Sequence, residues 1–184
     1  MKIKINYKIR PAKAEDAREY VELKNLVWRH AYKNIFPEEV FVQQEAKSER
    51  KINGFADHFI NQTDKICYVA EVNSKIVGIM AGKIKSSYPH FEEENYADLS
   101  MLYIHPDYQN IGIGTNFKEI FVKWAKSNGA TKFVIGVFKD NMPARKAYES
   151  WGGKLSSHNF VRQELGQNYE EVFYTYDLEK ELNL

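Results

Sequence analysis

Between Tyr96 and Val137 the sequence reads strand, glycine turn, amphipathic helix, strand, and this order narrows the folds open to the chain. Tyr96 to Ile104 is a β-prone run, stopped at His105-Pro106-Asp107 because proline has no N–H for a ladder. Phe117, Ile120, Phe121, Trp124 and Ala125 then recur at helical spacing, so one apolar stripe faces a core. Asn128-Gly129 supplies the stop, and Phe133 to Val137 reads as a short buried strand. Two strands joined through a helix lie parallel, with a right-handed crossover.

The flanks add antiparallel elements. Tyr7 to Pro11 reads as a short strand ending at a proline. Ala17, Tyr20, Val21, Val27, Trp28 and Ala31 predict a helix, with Glu15 and Asp16 favourable near its positive end. Pro37 before Glu38-Glu39 predicts a second helix start, and Val40, Phe41, Ile52, Phe55, Phe59 and Ile60 give that helix, or two short helices, an apolar side. Lys65 to Val72 and Lys75 to Ile84, joined by Asn73-Ser74, predict a hairpin. Residues 86–95 are polar and carry a proline, which predicts a loop. Pro143 to Trp151 reads as a short helix stopped by Gly152-Gly153. Lys154 to Gln163 and Tyr169 to Tyr176 read as a hairpin around residues 165–168. The sum is an α/β (α+β) chain, one mixed sheet with helices on both faces, in a single domain spanning 1–184.

Charge excludes some partners. Lys and Arg total 26 against 25 acids, so no strong field draws nucleic acid or an anionic membrane. No uncharged run approaches the ~20 residues of a membrane helix. The start at Met1-Lys2-Ile3-Lys4 lacks the apolar core of a secretory signal, and the single Cys67 fits a reducing compartment. A cytoplasmic location is the expectation.

Gln109-Asn110-Ile111-Gly112-Ile113-Gly114, set between strand and helix, carries the chemistry. Glycine allows positive φ and a close backbone approach, and asparagine tolerates that conformation well. The unpaired N–H groups of the following helical turn favour an anion such as a pyrophosphate. A P-loop is excluded because Thr115-Asn116 follows Gly114 in place of Lys-Ser/Thr. The dinucleotide fingerprint fails because Phe117 stands where its third glycine or alanine belongs.

A second stretch completes the pattern. Leu102-Tyr103-Ile104, the proline-bearing turn, Gln109, Gly112 and Gly114 are followed about thirty residues on by Asn141, Ala144, Tyr148 and Gly152. Together these resemble the signature of the GCN5-related N-acetyltransferase superfamily. Arg10-Pro11-Ala12 with Glu15-Asp16-Ala17 resembles the family's first strand and helix, and Trp28 to Pro37 its substrate-side segment in one bacterial branch. Asn110 stands where glycine is frequent.

The resemblance implies a mostly antiparallel sheet whose central parallel pair splays around acetyl-CoA. It implies that Leu102, Tyr103 and Ile104 pair with the pantetheine arm. Gln109, Asn110, Ile111, Gly112, Ile113, Gly114 and Thr115 would wrap the pyrophosphate, with Asn141 and Ala144 completing the cofactor side. Tyr148 would lie near the sulfur, and a phenol of pKa ~10 is able to protonate a departing thiolate; a core tyrosine is the alternative. Asp98 matches the position of the family's general base and is one methylene shorter, which suggests a water relay; a solvated strand-end acid is the alternative. Trp28, Tyr32, Phe36 and Tyr88 are candidates for an acceptor pocket. His90 and His105 lack the spaced partners of a metal centre, so no metal is expected. Cys67 reads as core. The implied reaction is acetyl transfer from acetyl-CoA to a primary amine on a small molecule, polyamine or peptide. The competing reading is a non-catalytic acyl-CoA sensor on the same fold. Monomer and homodimer both remain open, since edge strands permit self-pairing.

Overall fold

The computed structural model describes residues 5–179, and Met1 to Lys4, on which the reading of the amino terminus rests, lie outside them. Among the described residues there are seven strands: β1 (Lys8–Pro11), β2 (Lys65–Val72), β3 (Lys75–Lys83), β4 (Ala97–Ile104), β5 (Lys132–Phe138), β6 (Lys154–Glu164) and β7 (Gln167–Asp177). Six α-helices accompany them: α1 (Ala17–Tyr32), α2 (Glu38–Glu45), α3 (Ser48–Asn53), α4 (Pro89–Glu93), α5 (Ile113–Ser127) and α6 (Met142–Ser150). The sheet order is β1-β2-β3-β4-β5-β7-β6. β4 and β5 are parallel, at Ala97↔Phe133 and Asp98↔Val134, as the crossover requires. β1 with β2, β5 with β7 and β6 with β7 are antiparallel, so the sheet is mixed.

Two compact units divide the chain, one reaching to Gly82 and taking in Met101–Phe121, the other made of Lys83–Ser100 and the chain from Val122 onward. In the first unit, Tyr20, Leu23 and Val27 of α1 pack with Cys67, Val69, Ile79 and Ala81 on one face of β2 and β3. The alternate residues Ala70 and Gly78 face the other way. A Cβ on Gly78 would stand 3.1 Å from the Phe117 ring and 3.2 Å from Ile113, so the missing side chain is what admits the start of α5. Helices therefore cover both faces of this hairpin. Asn73 and Ser74 at its tip both have positive φ (50° and 63°), the two-residue turn that matches strand twist.

In the second unit, Phe91, Val134 and Phe173 form a buried cluster with Tyr88 and Tyr96 against it. Phe91 belongs to α4, a short helix where the sequence pattern predicts a loop. Pro89 stands in its first turn, where a missing N–H costs nothing, and burial of Phe91 holds the turn in place. The β6–β7 loop is also tighter than the four residues expected. Glu164↔Gln167 pair directly, leaving Leu165 and Gly166 at φ 52° and 75°. Residues 38–64 hold α2, α3 and a π-helical turn at Ala56–Ile60.

Candidate active site

In the first unit, β4 ends where the His105 N–H donates to the Val77 carbonyl at 2.8 Å. Leu102, Tyr103 and Ile104 are half-buried on this strand, and Tyr103 packs on the α1 side. Gln109 Nε2 donates to the Ile104 carbonyl at 3.1 Å, tying the turn back to the strand it leaves. Asn110 at φ 61° and Gly112 at φ 97° then reverse the backbone into α5, with Ile111 half-buried between them. Ile113 is buried, Gly114 half-buried and Thr115 exposed, all in the first turn of α5. The N–H groups of such a turn have no intrahelical acceptor and mark the positive end of the helix. Asn116 Nδ2 donates to the Tyr7 hydroxyl at 2.8 Å, and a Cβ on Gly112 would stand 3.2 Å from that same oxygen.

In the second unit, Asp98 shares a face with its register partner Val134 and is buried. Ser86 Oγ donates to its Oδ2 at 3.2 Å, Ser100 Oγ to its Oδ1 at 3.1 Å, and the Lys83 ammonium lies 3.7 Å from Oδ2. Burial pushes the Asp98 carboxyl above its ordinary range, while Lys83 and the two hydroxyls pull it back. Lys83 itself donates to Ser87 Oγ at 2.6 Å. A carboxylate held this way is a better proton acceptor than an exposed one.

Further along the same face, Tyr88 donates its phenol to Glu171 Oε2 at 2.8 Å, and Arg162 Nε donates to Oε1 at 2.7 Å. Burial, then Glu171, push the Tyr88 hydroxyl well above the usual phenol range. Its ring lies 4.6 Å from Phe173 and 5.5 Å from Phe160. Lys83, Ser86, Arg162 and Glu171 escape the sequence motifs. The signal for Glu171 is strand parity, since it stands two residues before the inward-facing Phe173.

Tyr148 lies on the opposite face. Phe133 stacks on Tyr176 at 4.2 Å, and Tyr148 approaches Tyr174 at 5.9 Å. The Tyr148 carbonyl accepts from the Tyr176 hydroxyl at 2.8 Å and from the Gly153 N–H at 3.0 Å. Asn141 caps α6, its Oδ1 accepting from the Ala144 N–H at 3.3 Å, with Ala144 half-buried in the first turn.

The aromatic candidates divide between the two units. Trp28, Tyr32 and Phe36 meet each other, with Trp28 stacked on Phe36 at 5.1 Å, and Phe41 joins them at 5.4 Å from Trp28. Tyr88 belongs to the Glu171 group. His90 stacks on His158 at 3.3 Å, and His105 contacts Tyr108. Among the described residues no three His, Cys, Asp or Glu side chains are grouped to hold a metal ion. Among the same residues no helix is long and apolar enough to cross a membrane.

This strand, glycine turn and helix arrangement has counterparts of known class. The family model described as "Acetyltransferase (GNAT) family" matches residues 21–153. The chain belongs to this family. A curated relative, the uncharacterized N-acetyltransferase YobR of Bacillus subtilis, is 29% identical over 68 residues, 36% of this chain and 28% of that protein. The match thus spans little more than a quarter of the relative's length. The fold is shared with PaiA N-acetyltransferase of Thermoplasma acidophilum, a structure in complex with coenzyme A (TM-score 0.70, 23% identity, 93% of this chain and 99% of that one). It is also shared with a GCN5-related N-acetyltransferase of Rhodopseudomonas palustris (TM-score 0.68, 20% identity, 96% and 99%).

Proposed function

We propose that this chain transfers the acetyl group of acetyl-CoA to a primary amine, acting as one N-acetyltransferase domain. The observation that carries the reading is the turn at Asn110 and Gly112, whose two positive φ angles deliver the backbone into the first turn of α5. That shape suits a pyrophosphate, because a ligand oxygen meets N–H groups with no Cβ in the way. Acetyl-CoA supplies the activated thioester. Gln109 to Thr115 take its pyrophosphate and the Leu102 to Ile104 backbone its pantetheine arm. In the second unit Asn141, with Ala144, steadies the approach to α6. PaiA, which shares the fold, is seen with coenzyme A.

Asp98 takes the proton of the attacking amine, directly or through a water, and Tyr148 returns one to the departing sulfur. In the second unit Tyr88 is the aromatic side chain for acceptor contact near Asp98; in the first unit Trp28, Tyr32 and Phe36 are the aromatic candidates for acceptor contact. A cytoplasmic location goes with this reading, as Cys67 is a buried free thiol.

Calorimetric titration of the purified chain with acetyl-CoA, with ATP and NAD as controls, tests the cofactor. Saturable heat for acetyl-CoA alone is expected, followed by acceptor-dependent thiol release. Binding without release across a broad amine panel would shift the reading to an acyl-CoA sensor. No binding by folded protein at millimolar ligand would remove both.

A further inference from the structure

We propose that Arg162 is an acceptor-recognition residue, and that the acceptor carries a carboxylate several atoms away from its reacting amine. The inference rests on the transferase reading above. Arg162 lies on β6 opposite Tyr169, so it shares a face with Phe160, whose register partner is Glu171. Its guanidinium is held from behind. Nε donates to the buried Glu171 carboxylate at 2.7 Å, and the charged plane sits 5.9 Å from the Phe138 ring centre. Among the described residues the two terminal guanidinium nitrogens make no hydrogen bond to protein. The side chain keeps 42% of its surface, against 7% for Glu171. A guanidinium fixed by one nitrogen with its outer fork open is suited to bidentate binding of a carboxylate.

The charges around it favour that ligand over a polycation. Asp98 is paired with Lys83 and Glu171 with Arg162, which leaves Glu164 as the remaining acid near this face. A second ammonium on the acceptor would meet Arg162 directly. Glu164, two residues along β6, is the further acid near the guanidinium. Tyr88 links the two ends: its phenol donates to Glu171, the partner of Arg162, and its N–H donates to Ser86 Oγ, which donates to Asp98.

Register sets the ligand's length. Asp98 pairs with Val134, and Arg162 stands over Phe138, four residues along β5. Four residues of strand span about 13 Å. Hydrogen bonds of about 3 Å at each end close only part of that span, so several bonds must separate amine from carboxylate. An α-amino acid is too short for this; an ω-amino acid, a lysine side chain with its own carboxylate, or a dipeptide spans it.

The test uses probes matched in length: 5-aminopentanoate, its amide and 1,5-diaminopentane, with glycylglycine and its amide as the peptide arm and alanine as the short control. Thiol release at saturating acetyl-CoA gives kcat/KM. Ligand-observed NMR on coenzyme A-loaded protein reads binding without turnover. We expect 5-aminopentanoate or glycylglycine to exceed its amide at least tenfold, and Arg162→Ala to bring acid and amide within about twofold, through KM rather than kcat. Arg162→Lys should keep part of the preference. A hairpin ion pair of structural value alone would lower the melting temperature in Arg162→Ala and leave the acid-to-amide ratio intact, which overturns the proposal. Equal use of the amide or diamine overturns it, as does absence of binding by every carboxylate probe at 10 mM (a concentration about ten times a weak millimolar Kd). Acetyl-CoA affinity, read by calorimetry on the same samples, separates failure of the transferase reading from failure of this one.

Discussion

The Lys83 ammonium lies 3.7 Å from Asp98 Oδ2 on a face that otherwise desolvates the carboxylate. Burial raises the Asp98 pKa and Lys83 lowers it, burial being the larger cause. A general base works only when deprotonated, so kcat/KM should rise with pH on a one-proton limb placed above the ordinary carboxylate value of 3.8. Lys83→Met removes the lowering influence and should move that limb upward. Asp98→Asn should abolish it and reduce kcat by about 10²-fold or more. A pH profile of kcat/KM for the three proteins checks this, and an unmoved limb in Lys83→Met would show that Asp98 is not the titrating base.

Tyr148 and Tyr176 give a way to separate catalysis from packing. The Tyr176 hydroxyl bonds to the Tyr148 carbonyl, not to its phenol, so Tyr148→Phe leaves that contact intact. Tyr148→Phe should lower kcat by about 10²-fold with little change in melting temperature. Tyr176→Phe, which leaves a buried carbonyl one donor short, should cost about 1 kcal/mol of stability and much less in kcat. Denaturant titration beside steady-state kinetics distinguishes them. Equal kcat losses in both variants would make Tyr148 a packing residue.

Gly112 combines φ +97° with a Tyr7 hydroxyl 3.2 Å from where a Cβ would stand. Gly112→Ala is therefore strained in its backbone and pressed against Tyr7. Because the turn leads into the proposed pyrophosphate site, acetyl-CoA affinity should fall at least tenfold while stability falls by about 1–2 kcal/mol. Calorimetry and thermal melts report the two effects separately. Intact affinity in a folded Gly112→Ala would place the phosphates elsewhere.

The parts of this fold that could be read from the chain are those whose cause is local. The α5 stripe repeats within one helix, and the positive φ of Asn110 and Gly112 follows from residue types made for such turns. The parallel β4–β5 pair follows from connection length. α4 was hidden because Pro89 signals a loop and a helix start equally well; only Phe91 packing on Val134 and Phe173 decides between them. The Glu171 group was hidden for another reason. Which of Glu170 and Glu171 turns inward depends on the β5–β7 register, with Glu171 opposite Phe138, and Tyr88 comes from 83 residues away. Such long-range pairings leave no periodic trace.

Arg10 joins the amino-terminal elements, donating to Asp16 through Nη1 at 2.7 Å and Nη2 at 2.8 Å and to Glu71 through Nε at 2.9 Å. Asp16 also accepts from the Lys13 N–H at 2.7 Å, which caps the start of the turn Ala14–Asp16 that leads into α1. Arg10 holds the Asp16 carboxyl below its ordinary 3.8. A depressed folded pKa means the stabilisation is complete above the unfolded value and is lost as pH falls below it, toward the folded value. Arg10→Met leaves the buried Asp16 charge without its partner, an effect of about 3–5 kcal/mol for such pairs. The variant should therefore unfold at lower denaturant at pH 7. The gap to the parent should narrow below about pH 4, where the unpaired carboxylate is protonated. Chemical denaturation at both pH values measures it, and a gap that stays constant with pH would trace the loss to packing of the Arg10 stem instead.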